Sequence, residues 1–232
     1  YRCQILPLKI GNFNGSLAVK GIPESIYRNL NLRNNPEAPV AQYLATRKLS
    51  PESIQRFSLG MSLDSWDSAM VFAKNLGFTE AELAEGGIIK TFDDNPSKRY
   101  DLFRNRLMFP IWDELGRVVG FSARTIESDP KAMKYVNTPE TPIFKKGRIL
   151  YGMHLARGEM SENKQGCAIL CEGQLDVIAM HAAGFPNAVA AEGTGICGVS
   201  TCHTCRCCYY CIIIVTDCGK YIFFVVIAIC TI

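Results

Sequence analysis

The hydrophobic and polar residues follow a helical spacing before Gly87 and a strand-like spacing after it. Over 37–47 the apolar residues recur three to four positions apart, which predicts an amphipathic helix. Three shorter helices are predicted from their capping signals: Ser50 followed by proline, Ser65 ahead of Trp66–Leu76, and a capping box at Thr79–Glu82. This region predicts a helical scaffold, since no set of chemically reactive side chains lies on one of these helices.

Alternating and continuous apolar runs beyond Gly87 predict strands at Ile88–Phe92, Arg106–Trp112 and Arg117–Arg124. The last two flank a turn at Asp113–Gly116, so they are predicted to form a hairpin. Residues 134–148 are too polar and proline-rich for a regular element, and their length is typical of a binding loop. A short helix and a linker are expected over 149–161.

A separate strand and helix unit begins at Cys167–Cys171, a run of small and apolar residues typical of a strand buried on both faces of a parallel sheet. Gly173 permits a tight turn, and Leu175–Gly184 is predicted as a helix closed by its glycine. Glu172 and Asp176 then lie at the carboxyl end of the strand, where open α/β sheets bind ligands. Two carboxylates there are good ligands for a divalent cation. The alternative is that Glu172 is simply a polar strand terminus.

Composition and charge change this picture only locally. The 232 residues are 48% hydrophobic and 20% charged, which is ordinary for a globular protein with a sizeable core. The net charge is +3, but residues 98–157 hold twelve Lys and Arg against six Asp and Glu. Aromatic residues are interleaved with these basic side chains, a combination suited to single-stranded nucleic acid or nucleotide phosphates. The alternative is a solvated surface with unevenly distributed charge.

Cysteine usage and the amino terminus indicate a reducing, cytoplasmic setting. Eight of the eleven cysteines lie between Cys197 and Cys230, so the count describes that segment and not the whole protein. Cys167 and Cys171 are predicted to be small core residues. The first residues show no signal-peptide pattern.

Five ordered segments resemble the bacterial DnaG-type DNA primases: Tyr100–Ile111, Gly116–Arg124, Lys134–Gly152, Glu172–Asp176 and Ala188–Gly195. The resemblance covers roughly residues 35–196. It implies an α+β amino-terminal subdomain over 1–160, with a helical scaffold followed by basic strands and a loop. An α/β TOPRIM-type domain with a parallel sheet would follow over 161–232, incomplete at its carboxyl end and anomalous from about residue 197.

The resemblance also implies roles for individual residues. Glu172 matches the catalytic acid, and the metal ligands would be Glu172, Asp176 and Asp217. The positions that match nucleic-acid-binding or nucleotide-binding residues are Arg104, Arg106, Arg124, Lys134, Tyr135, Asn137, Lys145, Lys146 and Arg148. The positions that match structural turns of the TOPRIM domain are Gly173, Gly193 and Thr194.

The implied activity is DNA-directed synthesis of RNA primers for replication, with Mg²⁺ or Mn²⁺ as cofactor. Expected partners are a single-stranded DNA template, ribonucleoside triphosphates, the replicative helicase and single-strand-binding protein, with no membrane. Zinc is expected only in an amino-terminal domain that this chain lacks. Two alternatives are a non-catalytic remnant that binds single-stranded nucleic acid and another TOPRIM phosphotransferase, such as a nuclease.

The sequence departs from the family from about residue 197 onward. Asp217 matches the first residue of an expected aspartate pair, but Gly219 replaces the second, and a cysteine-rich segment replaces an amphipathic helix. A zinc site would use Cys202, Cys205, Cys208 and Cys211, although zinc knuckles are usually separated by a longer loop. A membrane anchor over 221–232 would be too short to span a bilayer, which needs about twenty residues. A frameshifted, misread or truncated carboxyl end is therefore favoured.

Overall fold

A computed structural model describes residues 21–27, 39–95, 97–127, 132–160, 167–192, 210–217 and 222–229, the last two segments by their backbone. These residues fall into two compact units. The first unit lies within residues 11–111 and 117–144, and the second within residues 112–116 and 145–232. Each unit combines helices with strands, which confirms the expected mixture of α and β structure.

The first unit contains a 3₁₀ turn and four short helices: Glu24–Ile26, then α1 (Pro39–Thr46), α2 (Pro51–Arg56), α3 (Ser68–Asn75) and α4 (Glu80–Glu85). Two of the predicted caps are confirmed. The Ser50 hydroxyl accepts from the Ser53 amide at 3.2 Å. Thr79 and Glu82 form the reciprocal capping box, with each side chain bonded to the other residue's amide. Both caps use only residues three positions apart, which is why the sequence reveals them.

Helix α3 begins differently from the prediction. Its N-cap is Asp67, and the expected cap Ser65 instead donates its hydroxyl to the Asp67 carboxylate at 3.1 Å. The amides of Ala69 and Met70 donate to Asp101, at 2.7 and 3.0 Å. A buried carboxylate from a distant strand therefore satisfies the start of α3.

The strands of the first unit form a sheet and a separate ribbon. They are β1 (Gly60–Ser62), β2 (Ile89–Thr91), β3 (Arg99–Asp101), β4 (Arg106–Trp112), β5 (Val118–Thr125) and β6 (Tyr135–Asn137). The sheet has the order β1-β4-β5-β6, and β2 pairs with β3. The prediction of no regular element in 134–148 is wrong for β6, because Tyr135 pairs with Arg124 and Asn137 with Ser122.

Aromatic side chains fill the core of the first unit. Phe109 and Phe121, on β4 and β5, are fully buried. Tyr27 packs edge-on against Phe121 and Phe103, with ring centroids 4.8 and 5.7 Å away. This packing holds the middle of the sheet, so β5 presents its carboxyl-terminal residues at a defined position.

The described residues of the second unit form a five-stranded sheet, two short helices and two 3₁₀ turns. Its elements are β7 (Leu150–Tyr151), α5 (Met153–Ala156), β8 (Cys167–Cys171), α6 (Gln174–Ala182), β9 (Ala188–Ala191), β10 (Tyr210–Asp217) and β11 (Ile222–Ile229). The strand order is β11-β10-β8-β9-β7. Strand β8 runs parallel to β9 and to β10, while β7 and β11 are antiparallel to their neighbours.

The apolar run Ile212–Val215 lies within β10, which extends beyond it at both ends. Strand β11 was not predicted, and it pairs with β10 along eight residues. The part of the chain that the structure describes holds no helix long and apolar enough to cross a membrane. The four cysteines considered for zinc lie outside the described residues, except that the backbone of Cys211 belongs to β10.

Candidate functional site

Three acidic residues follow the carboxyl ends of neighbouring parallel strands. Glu172 comes directly after β8, Glu192 directly after β9, and Asp217 is the last residue of β10. Cys171, the last residue of β8, is opposite both Ala190 and Val215, so the three strands end within two residues of the same level. Because the carboxyl ends of parallel strands meet at one edge of a sheet, these residues share that edge.

The turn between β8 and α6 presents the two predicted carboxylates to solvent. Glu172 and Asp176 are both exposed. A Cβ built on Gly173 would lie 3.6 Å from Asp176 Oδ2, so the Asp176 side chain points back toward the turn that follows Glu172. Exposed carboxylates bind a hard divalent cation without a large desolvation cost. Glu172 and Asp176 are therefore the residues of this turn that could hold a divalent cation.

This pair of carboxylates is incomplete as a metal cage. Among the described residues, no group of three or more His, Cys, Asp and Glu side chains is placed to hold a metal ion. Magnesium commonly keeps several waters and takes further oxygen ligands from substrate phosphates. The donor set is therefore typical of a cation that arrives together with a phosphorylated substrate.

Cys171, next to Glu172, is a buried free cysteine. Burial, and then the charge of Asp176, raises the pKa of its thiol to about 12. The thiol is therefore neutral near pH 7. Since only the thiolate is a nucleophile, Cys171 is unreactive there. It serves as a small core side chain, as expected.

Glu192 is the site residue that the sequence reasoning missed. Its side chain is 2% exposed, and its two carboxylate oxygens lie 3.1 and 3.2 Å from Nε2 of Gln174. Burial raises the pKa of Glu192 to about 7, although the Gln174 hydrogen bond and the charge of Lys146 act in the opposite direction. One signal could have found it: like Glu172, it is a carboxylate directly after an apolar run.

The raised pKa of Glu192 makes stability depend on pH. Between pH 4.5 and about 7 the folded chain keeps this proton while the unfolded chain loses it. The free energy of unfolding should therefore fall as the pH rises through this interval, by about 3 kcal/mol in total. Glu192→Gln removes this contribution, so its unfolding free energy relative to wild type should rise by that amount between pH 4.5 and 8. Urea unfolding at several pH values measures both curves, and parallel curves would contradict the assignment.

In the first unit, Arg124 and Tyr135 form the centre of a cationic and aromatic cluster. Arg124 Nη1 donates to the Tyr135 hydroxyl at 2.9 Å, and its guanidinium lies 5.2 Å from the ring centroid of Tyr43. The guanidinium of Arg47 lies over the same tyrosine ring, 5.3 Å from the Tyr43 centroid. Tyr43 and Arg47 were not predicted as site residues, because Tyr43 on α1 meets Arg124 on β5 only in the folded chain. Guanidinium groups and aromatic faces held together in this way suit phosphates and bases.

Arg104 stacks on an exposed tryptophan. Its guanidinium carbon lies 3.4 Å from the centroid of Trp66, whose side chain is 57% exposed. Trp66 also stacks on Phe92, with centroids 5.8 Å apart, and Phe92 contacts Tyr100 at 4.5 Å. The exposed face of this second cluster combines a cation with aromatic rings, as the sequence pattern indicated for the basic segment.

The remaining predicted residues of the first unit differ in their surroundings. Arg106 Nη1 donates to the Met133 carbonyl at 2.8 Å, and partial burial lowers the pKa of Arg106. Asn137 accepts from the Ser122 hydroxyl at 2.7 Å, so it also supports the pairing of β5 with β6. Lys134 is exposed, next to Tyr135 on β6. Of this set, Lys134 is the most accessible cation.

The predicted basic loop is divided between the two units. Lys145, Lys146 and Arg148 belong to the second unit, where a 3₁₀ turn spans Lys146–Arg148. Lys146 acts electrostatically on Glu192, which places its charge near that carboxylate. Gly193 and Thr194 lie outside the described residues.

Comparison with known proteins shows the family to which the chain belongs. Residues 27–157 match the family described as DNA primase catalytic core, N-terminal domain. The chain is 43% identical to the DNA primase of Deinococcus radiodurans over 164 residues, which cover 71% of this chain and 28% of that protein. It is 39% identical to the DNA primase of Clostridium acetobutylicum over 166 residues, covering 72% of this chain and 26% of that protein. The chain thus spans only about a quarter of these relatives' length.

Solved structures give the same assignment. The RNA polymerase domain of the Mycobacterium tuberculosis primase DnaG, in complex with a double-stranded DNA oligomer with a 6-nucleotide overhang, matches with a TM-score of 0.69 and 34% identity, covering 78% of this chain and 55% of that one. The E. coli primase catalytic core matches with a TM-score of 0.64 and 36% identity, covering 75% and 53%. The resemblance expected from the ordered motifs is therefore confirmed, and the chain belongs to the bacterial DnaG-type DNA primase family, as part of its catalytic core.

Proposed function

We propose that this chain takes part in the synthesis of RNA primers on single-stranded DNA during replication. The observation that carries the proposal is the exposed carboxylate Glu172 at the end of β8, between two parallel neighbours that also end in acidic residues. The relatives are DNA primases, and one related structure is described as a DnaG primase catalytic domain bound to single-stranded DNA. Ribonucleotidyl transfer needs charge neutralisation and positioning more than covalent chemistry, which suits this arrangement.

The second unit is proposed to be a TOPRIM domain, and residues 1–160 and 161–232 to be the two evolutionary domains. Parallel strands flanking β8 and a glutamate directly after it support this assignment. Glu172 and Asp176 would hold Mg²⁺ or Mn²⁺, with Asp217 as a third ligand from the end of β10. When bound, the cation would help to activate the attacking 3′ hydroxyl and to neutralise the charge that develops on the phosphates. Glu172 is the proposed catalytic residue, since it would bind the cation that touches the reacting atoms.

The basic residues would hold the substrates. In the first unit, Arg124, Tyr135 and Lys134 would bind template phosphates and stack on bases, and Arg104, Arg106 and Asn137 would extend that surface. In the second unit, Lys145, Lys146 and Arg148 would bind nucleotide phosphates. Gly193 and Thr194 are proposed to form the turn after β9.

Family membership supports three further proposals. The partners would be ribonucleoside triphosphates, the replicative helicase and single-strand-binding protein. The setting would be the bacterial cytoplasm, at the replisome. Zinc would be bound only by a separate amino-terminal domain of the longer protein.

A primer-synthesis assay tests the proposed function. The purified chain is incubated with a single-stranded DNA template, ribonucleotides and Mg²⁺, and short RNA products are resolved on a gel. Products that require both the template and the metal support the proposal. Binding of single-stranded DNA without any product would favour the alternative of a non-catalytic binding protein, which the missing second aspartate at Gly219 favours.

Removing the exposed cation of Lys134 should weaken DNA binding without changing the fold. We expect Lys134→Ala to lower the affinity for a labelled oligothymidylate about fivefold at low salt, because one phosphate contact is lost. The slope of log affinity against log salt concentration should become shallower by about 0.7. Fluorescence anisotropy at several KCl concentrations measures both quantities.

Lys90→Ala is the matched control, since Lys90 is also an exposed lysine of the first unit, on β2. It should leave both the affinity and the salt slope close to those of wild type. Equal losses in the two variants would show a nonspecific effect of charge and would contradict a role for Lys134 in the binding surface.

A further inference from the structure

Gln174 and Glu192 join the start of α6 to the residue that follows β9. Gln174 is the first residue of α6, and it lies between Glu172 and Asp176 in the chain. Continuing the parallel register from Cys171 and Ala190 places Glu192 opposite Gly173. Because Gln174 lies between Glu172 and Asp176, any shift of its backbone would move the turn that carries both exposed carboxylates.

Packing alone does not explain this pair. Gln174 is 6% exposed and Glu192 is 2% exposed, so two polar side chains are removed from water together. An apolar pair of similar volume would fill the same space without the cost of desolvating a carboxylate. The Nε2 group carries two hydrogens and lies 3.1 and 3.2 Å from the two oxygens, which fixes the amide in one orientation.

The turn lacks a side-chain cap at the start of α6. Gly173 is the N-cap of α6, and this residue makes no side-chain cap hydrogen bond. Ser, Thr, Asp and Asn are preferred N-cap residues because their side chains accept from the first amides of the helix, which glycine cannot do. The hydrogen bond from Gln174 to Glu192 instead connects the start of α6 to the residue that follows the neighbouring strand β9.

We propose that Gln174 and Glu192 are positioning residues, which hold the turn between β8 and α6 so that Glu172 and Asp176 are preorganised toward one divalent cation. This inference rests on the metal site in the proposed function. Removing groups that hydrogen-bond directly to metal ligands commonly changes metal affinity by about 10- to 100-fold. Gln174 and Glu192 would act through the backbone of the turn instead, so an effect at the lower end of this range is expected. The pair does not touch substrate, so its effect should appear in cation binding itself.

Titration with Mn²⁺ alone tests the inference, with free Mn²⁺ measured by electron paramagnetic resonance and folding checked by circular dichroism. Gln174→Met removes the donor while keeping the length of the side chain, and it should weaken Mn²⁺ binding about tenfold. The double variant Gln174→Met with Glu192→Leu replaces both partners by apolar groups and leaves no unpaired buried carboxylate. It should show the same weakening, and it serves if the single variant fails to fold.

Exchanging the two residues separates positioning from general stability. Gln174→Glu combined with Glu192→Gln keeps one amide donor and one carboxylate but reverses their order, so Mn²⁺ affinity should return to within about threefold of wild type. Ala182→Gln, at the exposed end of α6, is the control and should leave binding unchanged.

Two results would overturn the inference in different ways. Wild-type affinity in both folded Met variants would show that the pair only fills space, while the proposed metal site would stand. A wild-type chain that binds no Mn²⁺ would overturn the metal site of the proposed function, and the positioning role would fall with it.

Discussion

Glu172→Gln should reduce primer synthesis by at least about 1000-fold, equivalent to about 4 kcal/mol of transition-state stabilisation. The amide is neutral and a poorer ligand for a hard cation, so the charge on the reacting phosphates would be less well neutralised. Affinity for single-stranded DNA should stay within about twofold, since the variant removes no positive charge. Radiolabelled products on a gel measure the first quantity, and fluorescence anisotropy measures the second.

Glu114→Gln is a suitable control for this variant. Glu114 is a carboxylate of the second unit whose ion pair with Arg157, at 3.7 Å, is exposed on both sides. Exposed pairs of this kind contribute little to stability, so primer synthesis should be unchanged. Continued primer synthesis by Glu172→Gln would show that the assignment of Glu172 as the catalytic acid is wrong.

Asp101→Ala should lower the free energy of unfolding by about 3 kcal/mol, because the Ala69 and Met70 amides would lose their acceptor in a buried site. Burial is the main cause of the raised pKa of Asp101, while these two amides act against it. The loss should therefore fall on α3 and on the ribbon of β2 and β3. Urea unfolding followed by circular dichroism measures it.

Asp67→Ala provides the contrast within the same helix. Asp67 is the N-cap of α3, yet its side chain makes no cap hydrogen bond to the helix. Its replacement should cost less than about 1 kcal/mol. If the two variants were equally unstable, the start of α3 would depend on its own N-cap, and the long-range cap from Asp101 would not be the main support.

Local signals predicted the helices of the first unit well. The caps at Ser50 and Thr79 depend on hydrogen bonds to residues three positions away, and such pairs are visible in the sequence. Ser65 showed the limit of this approach, since the carboxylate that caps α3 comes from a strand more than thirty residues away. Sequence spacing carries no information about such a contact.

The sequence pattern also failed to predict two strands, β6 and β11. Tyr135–Asn137 looked too polar for a strand, but β6 gains its hydrogen bonds from β5, and the neighbouring Arg124 and Tyr135 side chains bond to each other. Strand β11 was considered only as a membrane anchor that was too short, whereas its apolar run pairs with β10. An apolar segment can form a strand, a buried helix or a membrane-associated segment, and the residues that pack against it determine which of these it forms.

The sequence by itself determined the family, the short capped helices, the buried strand β8 and the acidic residue that follows it. These depend on residue type and on spacing over a few positions, where steric and hydrogen-bonding rules act locally. Only the tertiary structure decided that Glu192 is buried against Gln174 and that Asp101 caps α3. It also brought Tyr43 to Arg124. Each of these contacts joins residues far apart in the chain, and its energy exists only once the intervening elements have folded and excluded water.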